Sequence, residues 1–365
     1  VIKYLGSKRR ILPTLVETIG RIAGVRSVFD VFSGTARVGQ ALKARGYGVV
    51  GNDANAYAHT LAHCYVAAER RQMAAAATAL IDELNALPGK PGFITHTYCE
   101  QSRFFQPHNG ERIDAIRERI EQLALPPDLR AVILTALLEA ADRVDSTTGL
   151  QMAYLKQWAP RSFQPIQLRL PALLNSAPGR PCRALGLEAR EAAALVEADC
   201  AYLDPPYNQH SYLGNYHIWE TLVRWDQPEV YGVACKRIDC RSRKSAFNSK
   251  VQAWQAFCEL VAELRTPNLV VSFSNEGFIA RGTMESLLAR YGHLQTLTID
   301  YRRYVGAQIG IHDPAGRRVG QVSHLRNTEH IYVVSREPIE ALTKPVAAHQ
   351  AARVSIGSPH DARMS

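Results

Sequence analysis

Apolar positions along the first 60 residues change period twice, and each change predicts an element. Residues 11–22 carry apolar side chains at helical spacing, and residues 28–32 (Val-Phe-Asp-Val-Phe) form the short apolar block of a buried strand. A glycine-bearing turn precedes a second helical pattern at 38–45, and Tyr-Gly-Val-Val-Gly at 47–51 reads as a second strand ending at Asn52 and Asp53. This strand–helix–strand spacing is that of a parallel βαβ unit. From about 56 to 176 the pattern turns helical: Ile113, Ile116, Ile120 and Leu123 recur on one face, as do Leu129, Val132, Ile133, Leu137 and Val144. Proline–glycine breakers at 88–92 and 178–181 punctuate this stretch. Beyond them α/β patterning returns, with strands expected at 198–203, 269–273, 294–301 and 330–334 and helices at 251–264 and 284–291. The expectation is one α/β sheet built from residues 1–60 and 185–340 and interrupted by a helical insertion at 61–184. The last segment, 345–365, is rich in Ala, Ser, Arg and Pro and is expected to be disordered.

Composition narrows the class. With 46% hydrophobic and 21% charged residues the 365-residue chain has the balance of a soluble globular protein. No apolar run approaches the roughly 18 residues needed to span a bilayer, and no signal-peptide pattern opens the sequence. Seven scattered cysteines without a C-x-x-C pair argue for reduced thiols in a cytoplasm and against a disulfide framework or a metal site. The net charge of +9 favours a polyanionic partner. Its placement is more telling: Lys236, Arg237, Arg241, Arg243, Lys244 and Lys250 face a single acid, Asp239, in one segment. That segment is expected to contact phosphates.

Candidate chemistry sits at the predicted strand ends. Asp30-Val31-Phe32-Ser33-Gly34-Thr35 closes the first strand with a glycine that lets backbone approach a ligand. It is neither G-x-G-x-x-G nor a P-loop, which disfavours a diphosphate ligand. Asp53 closes the second strand, where a carboxylate accepts from both hydroxyls of a ribose. The strand at 198–203 runs into Asp204-Pro205-Pro206-Tyr207. Two successive prolines end the ladder and make a stiff turn that fixes the Asp204 carboxylate and the Pro205 carbonyl as acceptors.

Taken in order, Tyr4-x-Gly6-x-Lys8, the Asp30 to Gly39 stretch and Asp204-Pro205-Pro206-Tyr207 resemble the D12-class DNA adenine methyltransferases over roughly residues 2–336. The resemblance implies a Rossmann-like S-adenosylmethionine-dependent methyltransferase core with a mostly helical inserted target-recognition domain. It implies that Tyr4, Gly6 and Lys8 hold the methionine end of S-adenosylmethionine, with Lys8 opposite its carboxylate. Asp30, Phe32, Ser33, Gly34 and Thr35 would line the methionine and sulfonium, and Asp53 the ribose. Glu188 stands where the family commonly has Asp, one methylene longer, as an acceptor for the cofactor's adenine amine.

The amine of adenine is a poor nucleophile, because its lone pair is delocalised into the ring. Two acceptors on its hydrogens favour a tetrahedral nitrogen facing the methyl group, so that displacement is direct. Tyr207 would stack on a base flipped from the duplex. Tyr212, Tyr216, His217, Trp219 and Glu220 are divided between base pocket and core, and residues 272–277 are similar to the family's later strand end.

Target recognition is expected in the insertion, with Lys156 and Trp158 as DNA-contact candidates beside Arg241, Arg243 and Lys244. Arg302 and Arg303, leading into a hairpin at 313–316, complete that set. Duplex DNA is the expected partner, with a cognate restriction endonuclease if the role is restriction-modification rather than an orphan epigenetic one, in a cytoplasmic, nucleoid-associated setting without membrane or metal. A cytosine ring-carbon methyltransferase is excluded, because Pro181-Cys182 lies in a Pro/Gly linker without a Glu-Asn-Val motif. Methylation of a cytosine amine, of RNA or of a glutamine side chain uses related motifs, and a regulator that has lost catalysis is the rival from another class.

Overall fold

The computed structural model describes residues 2–6, 8–302, 311–312, 318–320 and 326–339. Seven strands form the central sheet: β1 (Ser27–Asp30), β2 (Gly48–Asn52), β3 (Arg183–Leu185), β4 (Cys200–Leu203), β5 (Asn268–Ser274), β6 (His293–Arg302) and β7 (Arg326–Ser335). Their order is β3-β2-β1-β4-β5-β7-β6. The first five pair in parallel, and β7 inserts antiparallel between β5 and β6.

Alternation along these strands divides the core into two. Val28, Val49, Cys200, Tyr202, Val270, Ile331 and Val333 join one hydrophobic cluster. Phe29, Val31, Ala201, Leu203, Leu269, Val271, Tyr332 and Val334 join the other. Because both faces are covered, the strands need continuous apolar runs, which is why the short blocks at 28–32 and 198–203 were legible. On the first face lie helices α1 (Leu12–Gly20), α2 (Arg37–Ala44) and α3 (Ala56–Ala62), α3 running straight into a π turn at His63–Ala67. Helices α4 (Arg70–Ala86), α5 (Pro107–Gln122) and α6 (Pro127–Val144) follow, and Pro107 and Pro127 open α5 and α6 at the position where a missing N–H costs nothing. The second face carries α7 (Ala189–Leu195), and later in the chain α10 (Ala253–Glu263) and α11 (Arg281–Leu288). Between them α8 (Tyr212–Asn215) and α9 (His217–Arg224) return to the first face.

The helices between 56 and 144 share one continuous cluster with the sheet, and β3 already begins at Arg183. Among the described residues no helix is long and apolar enough to cross a membrane. The hairpin expected at 313–316 and the segment 345–365 lie outside the described residues.

All parallel strands end at one edge, so the turns after β1, β2 and β4 meet in the crevice there. Asp30, Asp53 and Asp204 arrive at that crevice from three different strands.

Candidate active site

After β1 the chain turns sharply through Gly34 (φ +51°) and Ala36 (φ +57°) into α2. The turn is tied to β2 by the Ser33 N–H, which donates to the Asn52 carbonyl at 2.8 Å. A Cβ on Gly34 would lie 3.3 Å from the Tyr4 ring, so the glycine is required both by conformation and by close approach. The Gly34 N–H donates to Asp53 Oδ2 at 3.0 Å, while the Asn55 N–H and Nδ2 donate to Oδ1 at 2.9 and 3.2 Å. Burial raises the Asp53 carboxyl to about 6 against these hydrogen bonds. Asp30 is only 1% exposed, and neither of its oxygens has a hydrogen-bond partner of ordinary geometry. Burial, with Asp204 and Asp53 nearby, lifts its carboxyl to about 8. The Ser33 hydroxyl beside it is buried and also without a partner.

At the end of β4, Pro205 is buried and Asp204 and Pro206 open into the cleft. The Lys8 ammonium lies between two carboxylates, 2.9 Å from Asp204 Oδ1 and 2.5 Å from Glu329 Oε1. Ser272 Oγ donates to the same Glu329 oxygen. Burial raises the Asp204 carboxyl to about 6; Lys8 opposes the rise and Glu329 adds to it. Burial works against the Lys8 charge, but the two acids win and hold its pKa well above the usual lysine range. The sequence pointed Lys8 at the cofactor carboxylate; in the structure it already has two carboxylate partners of the protein's own. Tyr207 packs edge-on against Phe273, with ring centroids 6.0 Å apart, and its carbonyl accepts from Phe278 N–H at 2.9 Å.

The aromatic residues after this turn fall mostly on the core side. Tyr212, Tyr4, Tyr216 and Trp219 stack as a column with successive centroid spacings of 5.2, 4.6 and 4.5 Å. Tyr216, His217, Trp219 and Glu220 are buried, and only Tyr212 reaches the cleft. The Leu5 N–H donates to the Tyr216 hydroxyl at 2.5 Å, which fixes the N-terminal segment over α9.

The basic segment divides in two. Arg237 makes a bidentate pair with Asp226 at 2.6 and 2.7 Å. Arg243 reaches the fully buried Glu220 at 2.9 Å and Asp239 at 3.2 Å. Both guanidiniums are paired with carboxylates, and Arg243 at the same time lines the cleft with 34% of its side chain exposed. Lys244 stays exposed at the cleft rim, and Arg241, also exposed, lies 4.1 Å over the Tyr231 ring. Asn248 anchors the rim loop by donating to the Asn208 and His210 carbonyls at 2.7 and 3.1 Å. Lys156 is exposed away from the cleft, and Trp158 is covered by Arg103 at 4.7 Å. Arg302 closes β6, but its side chain and Arg303 lie outside the described residues.

The cleft has a volume of about 290 Å³, near the lower bound for small-ligand sites. Each cofactor candidate read from the sequence lines it: Tyr4, Gly6 and Lys8, the residues from Asp30 to Thr35, Asp53, and Glu188 at the entrance of α7. Phe247, edge-on to Phe32 at 5.2 Å, supplies an apolar wall that the sequence pattern did not reveal. Glu329 was missed as well, and Glu220 was noted without its ion-pair partner Arg243. Single acids in an apolar helix and a distant strand carry no local signal of what they will meet.

A mostly parallel sheet with this cleft at its carboxyl edge defines a Rossmann-like methyltransferase. Residues 4–275 match the model of the D12 class N6 adenine-specific DNA methyltransferases, and the chain belongs to that family. The type II methyltransferase M.NlaIII of Neisseria lactamica is 29% identical over 314 residues, 82% of this chain and 92% of its own. M.FokI of Planomicrobium okeanokoites, also a type II methyltransferase, is 30% identical over 329 residues, 83% of this chain but 49% of its own. M.CviAII of Paramecium bursaria Chlorella virus 1, a third type II methyltransferase, is 26% identical over 321 residues, 83% of this chain and 92% of its own. The chain thus spans nearly all of two of these relatives and about half of M.FokI.

The family implies S-adenosylmethionine as methyl donor, and the cleft fits it. The buried Asp30 carboxyl, raised to about 8 and without a side-chain partner, would ionise more readily beside a cationic ammonium, and Asp53 retains lone pairs for ribose hydroxyls.

Proposed function

We propose that this chain transfers a methyl group from S-adenosylmethionine to the exocyclic N6 amine of an adenine flipped from duplex DNA, as the modification partner of a restriction endonuclease. The observation that carries the reading is the convergence, in one cleft, of Asp204 with the two carboxylates Asp30 and Asp53 and the Gly34 turn. When bound, S-adenosylmethionine supplies a methyl group activated by its sulfonium. Asp53 takes the ribose hydroxyls, Asp30 takes the ammonium, and Phe32 and Phe247 wall the apolar part. The Asp204 carboxylate and the Pro205 carbonyl accept the two amine hydrogens and turn the nitrogen lone pair toward the methyl. The proline pair keeps both acceptors in place without reorganisation, so positioning and fixed dipoles lower the barrier. Asp204 must be ionised to accept, so transfer is lost as pH falls through about 6.

Lys244 and Arg241 at the rim are suited to phosphates, while Lys156 and Trp158 lie farther along the helical segment as candidates for target contact. Type II relatives of nearly the same length support the modification role. Sequencing the methylated positions of genomic DNA from cells that express the chain tests the reading. N6-methyladenine at one recurrent site is the expected result, and methylation confined to cytosine or to RNA contradicts it.

A further inference from the structure

We infer that Glu329 is a positioning residue for methyl transfer: from β7 it holds the Lys8 ammonium beside Asp204 and retains it when the target amine takes the Asp204 carboxylate. This rests on the proposed reading of Asp204 as the amine's acceptor.

Asp204 has two tasks that conflict. Its Oδ1 is ion-paired with the Lys8 ammonium at 2.9 Å, yet the same carboxylate must accept from an amine to do chemistry. A lysine with Asp204 as its sole partner would compete with the amine, because removing it would leave a buried ammonium unpaired. Glu329 resolves the conflict, since its Oε1 is 2.5 Å from the same ammonium. Its side chain is 3% exposed, and it shares a strand face with Ile331 and Val333 of the apolar core. A carboxylate in such a place is tolerated only when fully partnered, and Lys8 and the Ser272 hydroxyl of the neighbouring β5 provide the partners. The three elements that meet here (the N-terminal segment, β5 and β7) are far apart in sequence.

The groups facing Asp204 are Lys8 from the N-terminal segment, Glu329 from β7, Asp30 from β1, Tyr202 from β4 and Tyr212 from α8. Burial keeps both tyrosines neutral and Asp30 protonated up to about 8. Near pH 6 the charges that set the Asp204 proton are therefore Lys8 and Glu329, and Glu329 raises its pKa.

The test compares wild type, Glu329→Gln and Glu329→Asp in kcat/KM for duplex DNA against pH, with cofactor affinity from calorimetry and thermal unfolding in parallel. Glu329→Gln is expected to lower kcat by about tenfold or more, as misplacement of an acceptor does, while cofactor affinity changes less than about twofold. Its acid limb moves to lower pH, because the charge that raised the Asp204 pKa is gone. Glu329→Asp keeps the charge and restores the limb to the wild-type position.

An unmoved acid limb in Glu329→Gln overturns the inference, whether kcat is kept or falls together with stability and cofactor affinity. An inactive wild-type chain instead removes the functional reading and the inference with it, so the two failures are told apart.

Discussion

Asp30, Asp53 and Asp204 are chemically the same residue, and their surroundings give them three different tasks. Asp204, raised to about 6 by burial against the opposing charge of Lys8, is ionised at neutral pH, as the proposed acceptor role requires. Asp204→Ala is expected to lower kcat by roughly 10²–10³, the usual loss for one preorganised group, with cofactor affinity measured by calorimetry nearly unchanged. Asp53, fixed by Gly34 and Asn55, is assigned to cofactor binding in the proposed function. Asp53→Ala should weaken cofactor affinity by about tenfold, as loss of hydrogen bonds to a charged group does. Asp30 is buried without a side-chain partner, and burial lifts its carboxyl from 3.8 to about 8 against a weak contact to the Gly39 backbone. The folded state thus binds the extra proton between these values, and stability falls as pH rises through that window. Asp30→Asn removes the liability: its gain in Tm over wild type should be larger at pH 8 than at pH 5, while cofactor affinity falls. A gap independent of pH contradicts this account of Asp30.

At the scale of elements, close packing of helix on sheet decides what the cleft can hold. Helix α2 crosses the π turn at Gly39, where an added Cβ would lie 2.8 Å from Val66 Cγ2 and 3.4 Å from Asp30 Oδ2. Gly39→Val is therefore expected to cost about 1–3 kcal/mol in chemical denaturation, the range for overpacking, and to displace Asp30. The elements themselves were largely legible. Short continuous apolar blocks placed β1, β2, β4 and β5, and the 3.6 period placed α1, α2 and α10, within about two residues, because both faces of the sheet demand apolar side chains. The three-residue β3 and the seven-residue α7 were too short to carry a period. The π turns at His63–Ala67 and Thr95–Glu100 have no composition of their own. In the site, turn chemistry made Gly34, Asp53 and Asp204 readable, since backbone constraint demands particular residues there. The pairing of Arg243 with Glu220 was not legible, because Glu220 lies in a separate helix and charge in sequence does not say which way a side chain turns.

For the molecule as a whole, the charge of +9 remains the expected handle on DNA, although the ion pairs of Arg237 and Arg243 leave less uncompensated charge in the rim segment than its composition promised. Lys244→Ala should weaken duplex binding uniformly across sequences and reduce the slope of log affinity against log salt by about 1. An unchanged slope would remove Lys244 from the interface. The most direct test of the central claim uses wild type and Asp204→Ala side by side. Each is incubated with duplex DNA and S-adenosylmethionine carrying a labelled methyl group, and the digested nucleosides are resolved by mass spectrometry. The account predicts label in N6-methyladenine for the wild type and almost none for the variant. Label in N4-methylcytosine, or equal labelling by the variant, would contradict it.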